Sequence, residues 1–253
     1  MIDIHCHLEQ SDYDKDRQDV INKCRNTLDA IITCCANPKH LKITLDICKE
    51  NKGFVFCALS AHPEYIKDID DIDNYIKLID NLAKERSEIV AIGETGLDYF
   101  WIKEEEWREK QKQMFIKFIN LAKDLDLPLV IHSRDAVEDA IKILEKENAK
   151  NVVMHMFGAN QLTKKVVENG WYISMNAILL KSKKHKKVVR DCPLEKLMLE
   201  TDSPWLSPDG GRNDPTSVKI VAEKIAEIKK ISVEEVDRVT TENAKRFFRI
   251  NYK

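Results

Sequence analysis

The 253-residue sequence has little glycine and little proline, seven residues of each. Such a low content argues against a collagen-like, low-complexity or loop-dominated protein. It also lacks any apolar run close to the roughly 20 residues that span a membrane. Its start, MIDIHCHLEQ, lacks the basic region and apolar stretch of a signal peptide. We therefore expect a cytoplasmic protein that contacts no membrane.

Two further absences concern metal sites and charge. The seven cysteines include no CxxC pair, so they lack the spacing of a cysteine-based metal site and are expected to be reduced and mostly buried. Positive charge is not in excess, because 41 Lys and Arg are balanced by 43 Asp and Glu, a net charge of −2. A site for a polyanion must therefore be a local patch.

Short apolar, β-branched segments alternate with longer charged segments of helical spacing. In 107–126, for example, apolar residues recur at the i, i+3, i+4 and i+7 intervals of one helix face. Alternation of strands and helices predicts parallel strand pairing. The strand-like segments are MIDIHCH (1–7), DAIITCCA (29–36), FVFCALSA (54–61), IVAIGETG (89–96), LPLVIHS (127–133), NVVMHMF (151–157), WYISMN (171–176) and KLMLETD (196–202).

About eight βα units in about 250 residues predict an α/β fold, a TIM-like (β/α)8 barrel, although a doubly wound open sheet would also alternate. No Pro-, Gly- or Ser-rich linker marks a boundary, so we predict a single domain over 1–253. Two more helices are expected between about Thr216 and Arg249, the last being an extra C-terminal helix. Ser232 is its predicted N-cap and Glu235 the capping-box partner.

Potential metal ligands lie at the ends of five of the predicted strands. Catalytic groups of parallel barrels lie at the carboxyl ends of the strands, and residues i and i+2 of a strand share a face. Burying imidazoles and carboxylates together is costly unless they are paired or bind metal. The set comprises His5 and His7 at the end of strand 1, Glu94 at the end of strand 4, His132 at the end of strand 5, His155 at the end of strand 6 and Asp202 at the end of strand 8.

This donor set is larger than one tetrahedral ion uses and matches a site for two divalent metal ions. Mixed nitrogen and oxygen donors suit Zn²⁺, Mn²⁺, Fe²⁺ or Co²⁺, whereas Mg²⁺ prefers oxygen. The ligand types leave the identity of the ions open.

At these residues the sequence resembles the TatD-type metal-dependent deoxyribonucleases of the amidohydrolase superfamily. The resemblance rests on IDIHCHL, AHP, GETGLDY, IHSRDA, LETDSPWL, GRNDP and TENAKRFF, which occur in the same order over nearly the whole chain. It implies a TIM-like barrel, a binuclear metal centre and hydrolytic, typically exonucleolytic, activity.

The resemblance also implies ligand roles. His5 and His7 would hold one ion, with Asp202 beside it. His132 and His155 would hold the second ion, and Glu94 would bridge the two. The chain departs from the family at Met156-Phe157-Gly158-Ala159, where Cys-Phe-Ser-Gly is common, and at Gly211, where a basic residue is common.

The expected chemistry is phosphodiester hydrolysis by a hydroxide that bridges the two ions, with Asp202 as general acid and base. The expected substrate is DNA, taken from single-stranded ends, and no obligate protein partner is evident. An amide or ester hydrolase, or a D-aminoacyl-tRNA deacylase, could use the same centre. A non-enzymatic scaffold is disfavoured, because it would have no need for six convergent ligands.

Substrate contacts are expected from residues near the same strand ends, each with a structural alternative. Arginines there could bind phosphate or form ion pairs, and a histidine in AHP could donate to phosphate or support a turn. The basic run 181–190 could track phosphates or be a solvated helix face. Tyr99, Phe100, Trp101 and Trp205 could stack on bases or pack as core. The candidate substrate contacts are His62, Arg134, Arg212, Asn213, Lys183 and Lys184.

Overall fold

Eight parallel strands form one sheet in the computed structural model, which describes residues 1–250. Each strand pairs with the next one in the sequence, from β1 to β8, and the sheet curls into a nearly closed barrel. The predicted TIM-like architecture is confirmed. The strands are β1 Ile2–Cys6, β2 Ala30–Cys35, β3 Val55–Leu59, β4 Ile89–Asp98, β5 Leu129–Arg134, β6 Val152–Met154, β7 Tyr172–Met175 and β8 Leu197–Leu199.

Helices separate the strands and cover the outside of the sheet. They are α1 Arg17–Arg25, α2 Leu41–Glu50, α3 Ile72–Glu85, α4 Glu105–Asp124, α5 Val137–Lys146, α6 Thr163–Glu168, α7 Lys183–Asp191, α8 Val218–Lys229 and α9 Val233–Phe248. None of the helices in residues 1–250 combines the length and the apolar character needed to cross a membrane.

The C-terminal helix α9 begins at its predicted cap. The side chain of Ser232 accepts a hydrogen bond from the backbone N–H of Glu235, at 3.1 Å. The Glu235 carboxylate pairs with Arg238, one turn further on, at 2.8 Å. The cap therefore satisfies one of the free N–H groups at the helix start.

Helix α9 closes one end of the barrel. Its Phe247 and Phe248 are buried together with barrel-interior side chains such as Ile2 and Ala30, which lie at the starts of their strands. The aromatic rings fill the amino-terminal end of the barrel, where burial of apolar surface stabilises the fold. Chemistry is therefore confined to the opposite end, where the strands finish. All seven cysteines are free and buried, as expected.

Residues that follow β8 close the seam with β1. The buried carboxylate of Asp3 accepts hydrogen bonds from the backbone N–H and the hydroxyl of Thr201, at 3.1 and 2.6 Å. The backbone N–H of Asp202 donates to the carbonyl of His5 at 2.9 Å, and that of His7 donates to Ser203 at 2.7 Å. These bonds hold the segment after β8 against the two histidines of β1.

Candidate metal centre

The six predicted ligands converge at the carboxyl end of the barrel, with Glu94 at their centre. Its Oε2 lies 3.3 Å from Nε2 of His5. Its Oε1 lies 2.8 Å from Nδ1 of His132 and 3.7 Å from Nε2 of His155. Each oxygen of this one carboxylate thus faces a different group of imidazoles, as a bridging ligand requires.

Asp202 lies on the β1 side of the site. Its Oδ1 is 3.3 Å from Nε2 of His7 and 3.7 Å from Nε2 of His5. The two Nε2 atoms are themselves 3.2 Å apart. The backbone of Asp202 is left-handed, with φ of 58°, which turns the chain in the connection that follows β8 and brings the carboxylate over the barrel mouth.

The donor atoms fall into three groups, each with atoms within 4.8 Å of one another. Nitrogen and carboxylate oxygen donors of this kind fit a divalent transition metal ion, and three protein donors leave a position open for water or substrate. Neighbouring groups share His5 or Glu94, so ions bound there would lie close together. The groups are His5, His155 and Asp202; His5, His7 and Glu94; and His62, Glu94 and His132.

The electrostatics of the site favour positive charge. Burial alone would raise the pKa of Glu94, but the surrounding imidazoles, His5 first, hold that pKa well below its ordinary value. Burial alone would lower the pKa of His155, yet the carboxylates of Glu200 and Glu94 raise it to about 10. A divalent cation supplies the positive charge that this arrangement favours.

The surroundings of Asp202 likewise favour the ionised form of its carboxyl group. Burial would raise the pKa of its carboxyl, but the hydrogen bond with His7 and the nearby imidazoles lower it below the ordinary value. Its carboxylate form is therefore favoured, and that is the form that can accept a proton.

The imidazoles are oriented from behind by buried groups that the sequence analysis did not assign. Metal-bound histidines in proteins commonly direct their second nitrogen at such a partner. His132 directs Nε2 at Oδ2 of Asp98 at 2.9 Å, and His155 directs Nδ1 at Oε2 of Glu200 at 2.8 Å. The ring nitrogens left over face the cavity.

Strand periodicity carried a signal for one of these partners. Asp98 lies four residues after Glu94 within β4, so the two are in phase along that strand. Glu200 lies beyond the end of β8, where no strand period applies. On the β1 side, Cys34 contacts both histidines. Its carbonyl oxygen lies 2.8 Å from Nδ1 of His7, and its Sγ lies 3.3 Å from Nδ1 of His5. No sequence pattern indicated this contact.

An open cavity of about 1120 Å³ lies above the ligands. Its rim carries two exposed indoles: Trp101 follows β4 and is 55% exposed, and Trp205 follows β8 and is 47% exposed. The ring of Trp205 lies 4.9 Å from that of His7. Because the core interpretation would require burial, these two residues are better described as cavity walls than as core.

His62 lies beside the candidate ligands, at the strand end where its position after β3 predicted a substrate contact. Its Nδ1 accepts a hydrogen bond from the backbone N–H of Glu64 at 3.2 Å, and its Nε2 lies 3.8 Å from Oε1 of Glu94. Burial, followed by the nearby His132, lowers the pKa of His62 to about 3. The ring is therefore neutral, with its single proton on Nε2 and directed into the site.

Two of the candidate cations line the cavity. The Arg134 guanidinium lies 3.8 Å above the ring of Phe100 and 5.6 Å from that of Trp101, and has no ion-pair partner within residues 1–250. Lys184 also lines the cavity. Lys183, one residue earlier on α7, is exposed but is not part of the lining.

Arg212 and Asn213 do not reach the cavity. Arg212 forms a bidentate ion pair with Asp16, at 2.8 and 2.6 Å. Asn213 is buried, and its amide donates to the carbonyls of Thr201 and Trp205 at 3.3 and 2.8 Å. The expectation of substrate contacts from these two residues is not supported by their positions. They brace the loop that follows β8.

Comparisons with known proteins agree with this geometry. A family model described as TatD related DNase matches residues 2–249. The chain is 37% identical to the metal-dependent hydrolase YabD of Bacillus subtilis, over 99% of this chain and 100% of that protein. It is 35% identical to the deoxyribonuclease TATDN3 of Homo sapiens, over 98% of this chain and 94% of that protein.

Among solved structures, the TatD homologue YJJV of Escherichia coli superposes with a TM-score of 0.90. It is 24% identical, and the match covers 99% of this chain and 98% of that one. At this identity the likeness concerns the fold alone.

Proposed function

Because the chain belongs to the TatD family of metal-dependent hydrolases, we propose that it is a cytoplasmic deoxyribonuclease that uses two divalent ions to hydrolyse phosphodiester bonds at single-stranded DNA ends. The observation that carries the proposal is the convergence of the donors around Glu94 at the floor of an open cavity. Exposed indoles and an unpaired arginine on its rim suit a nucleic acid.

The residues of the three donor groups would hold two ions between them. Divalent ions, when bound, acidify a coordinated water and neutralise charge on phosphate oxygens. In this proposal His5 and His7 would hold one ion and His132 and His155 would hold the other, with Glu94 within reach of both. Glu94 suits that role because its two oxygens already face different imidazoles.

Asp202 and His62 would act on the substrate directly. The Asp202 carboxylate can accept a proton from the attacking water and deliver it to the leaving oxygen. The Nε2–H of His62 can donate a hydrogen bond to a phosphate oxygen above Glu94. Because the backbone N–H of Glu64 donates to Nδ1 of His62, the one proton of the neutral ring stays on Nε2 and can be donated to the substrate.

The rim would bind the rest of the strand. Arg134 offers a planar guanidinium to a phosphate without first breaking an ion pair, and Lys184 adds a second cation. Trp101 and Trp205 expose faces on which unpaired bases can stack. Bases within a duplex are not free to stack in this way, so the walls favour single strands.

The proposal is tested by reconstituting the metal-depleted protein with Zn²⁺, Mn²⁺, Co²⁺ or Mg²⁺ and following 5′- and 3′-labelled single-stranded DNA. We expect stepwise shortening from one end, abolished by chelation and by Glu94→Ala. Hydrolysis of ester or aminoacyl-tRNA substrates without DNA cleavage would reject the nuclease and favour the alternative hydrolase on the same centre.

Arg134→Gln should weaken binding of single-stranded DNA in proportion to one lost phosphate contact. The slope of log affinity against log salt should become shallower by about 0.7, the value for one phosphate on a single strand. Fluorescence anisotropy of a labelled oligonucleotide at several salt concentrations measures it. Arg212→Gln is the matched control, because Arg212 is paired with Asp16. Equal changes in both variants would contradict the assignment.

A further inference from the structure

Asp98 has no role in the proposed chemistry, yet its two carboxylate oxygens contact two different parts of the site. The residue is fully buried at the end of β4. Its Oδ2 lies 2.9 Å from Nε2 of His132. Its Oδ1 accepts hydrogen bonds from the backbone N–H groups of Phe100 and Trp101, at 2.9 and 2.7 Å.

We propose that Asp98 is a positioning residue that fixes the tautomer of His132 through one oxygen and the cavity wall at Trp101 through the other. The inference rests on the proposed metal centre. It concerns how this chain's own residues prepare that centre, and it is independent of the substrate.

The tautomer argument follows from donor and acceptor rules. A neutral imidazole carries one N–H, and a carboxylate can only accept. Asp98 therefore retains the proton on Nε2 of His132. With an ion at the site, the lone pair of Nδ1 would point at that ion beside Oε1 of Glu94, which lies 2.8 Å from Nδ1; this is the arrangement that a metal ligand needs.

The other carboxylate oxygen of Asp98, Oδ1, positions the cavity wall at Phe100 and Trp101. The rings of Phe100 and Trp101 lie beneath the Arg134 guanidinium. Without Oδ1 of Asp98 their backbone N–H groups would lose their only acceptor within residues 1–250, and nothing in this turn would hold the two rings in place. One buried carboxylate thus orients a ligand and the wall that faces the substrate.

Asp98→Asn separates the two roles. The two backbone N–H groups require an acceptor, so the amide oxygen of Asn should stay with them. The amide NH₂ must then face Nε2 of His132, and because it can only donate, Nε2 becomes the acceptor. The proton moves to Nδ1, which faces the metal. We expect Zn²⁺ affinity to fall about 10- to 100-fold, with the wall unchanged.

Three measurements on the full chain test this inference: calorimetric Zn²⁺ titration, ¹⁵N NMR of the histidines in the Zn²⁺-loaded protein, and hydrogen exchange of the Phe100 and Trp101 amides. Exchange should be unchanged in Asp98→Asn and faster in Asp98→Ala. Asp139→Asn is the matched control, because Asp139 lines the same cavity but bonds to the hydroxyl of Tyr99, at 3.0 Å. It should bind Zn²⁺ as the wild type does.

The outcomes separate this inference from the proposed function. A proton on Nδ1 of His132 in the Zn²⁺-loaded wild type would overturn the positioning role of Asp98, and no variant is needed for this measurement. An equal loss of Zn²⁺ affinity in Asp98→Asn and Asp139→Asn would also overturn it, since a general charge effect would then explain both. If DNA is not cleaved but Asp98→Asn alone loses Zn²⁺ affinity, the positioning role stands and the proposed substrate is rejected.

Discussion

Asp202→Asn should lower turnover by about 100- to 10,000-fold, the range that general acid–base catalysis contributes. The amide keeps the shape and an oxygen donor, but it cannot accept the proton of the attacking water. Metal content should stay close to that of the wild type, because His5, His7, Glu94 and His155 remain. Single-turnover rates on labelled DNA, with metal measured on the same samples, give the answer.

The control for this variant is Asp209→Asn. Asp209 lies further along the same connection, on the exposed surface, and its carboxylate bonds to the hydroxyl of Ser207. Turnover should not change there. Full turnover in Asp202→Asn at wild-type metal content would reject the proton-transfer role. Loss of metal in this variant would instead show that the main role of Asp202 is to bind metal.

Gly96→Ala should lower the free energy of unfolding by about 3 kcal/mol, at the upper end of the usual cost of overpacking. Gly96 pairs with His132 across β4 and β5 and has φ of 145°. A Cβ placed on it would lie 2.0 Å from the backbone carbonyl oxygen of His132. The strands would have to separate where a proposed ligand is anchored, so Zn²⁺ affinity should fall as well.

Denaturant unfolding compares this variant with Gly53→Ala. Gly53 also has a positive φ, of 80°, but a Cβ there would meet no atom within 4 Å. Only backbone strain of about 1 kcal/mol is expected. Equal losses in the two variants would show that the close approach of β4 and β5 is not what requires glycine at position 96.

The fold could be predicted because segments with strand periodicity alternate clearly with segments of helical periodicity. The ends of the strands were predicted less accurately. The sixth and eighth strands were predicted to include His155 and Asp202, whereas the structure ends them at Met154 and Leu199. Both candidate ligands therefore lie on the connections that follow. Left-handed backbone at Met156 and Asp202, with φ of 44° and 58°, ends the extended conformation there.

The convergence of the candidate ligands could be predicted because each lies in the carboxyl-terminal half of a strand or just beyond it, where local sequence indicates its position. The contacts of surface cations could not. Arg212 pairs with Asp16, 196 residues earlier in the chain, and only the closed barrel brings the two together. Lys184, not Lys183, lines the cavity because α7 is oriented by its buried His185, Val188 and Val189.

The seam between β8 and β1 has a consequence for biosynthesis. His5 and His7 leave the ribosome almost 200 residues before Asp202, which the bonds of Thr201 and Ser203 hold beside them in the folded chain. Contacts so distant in sequence form late in folding. A partly synthesised chain therefore lacks the complete centre, and hydrolytic capability arises only once the barrel is finished.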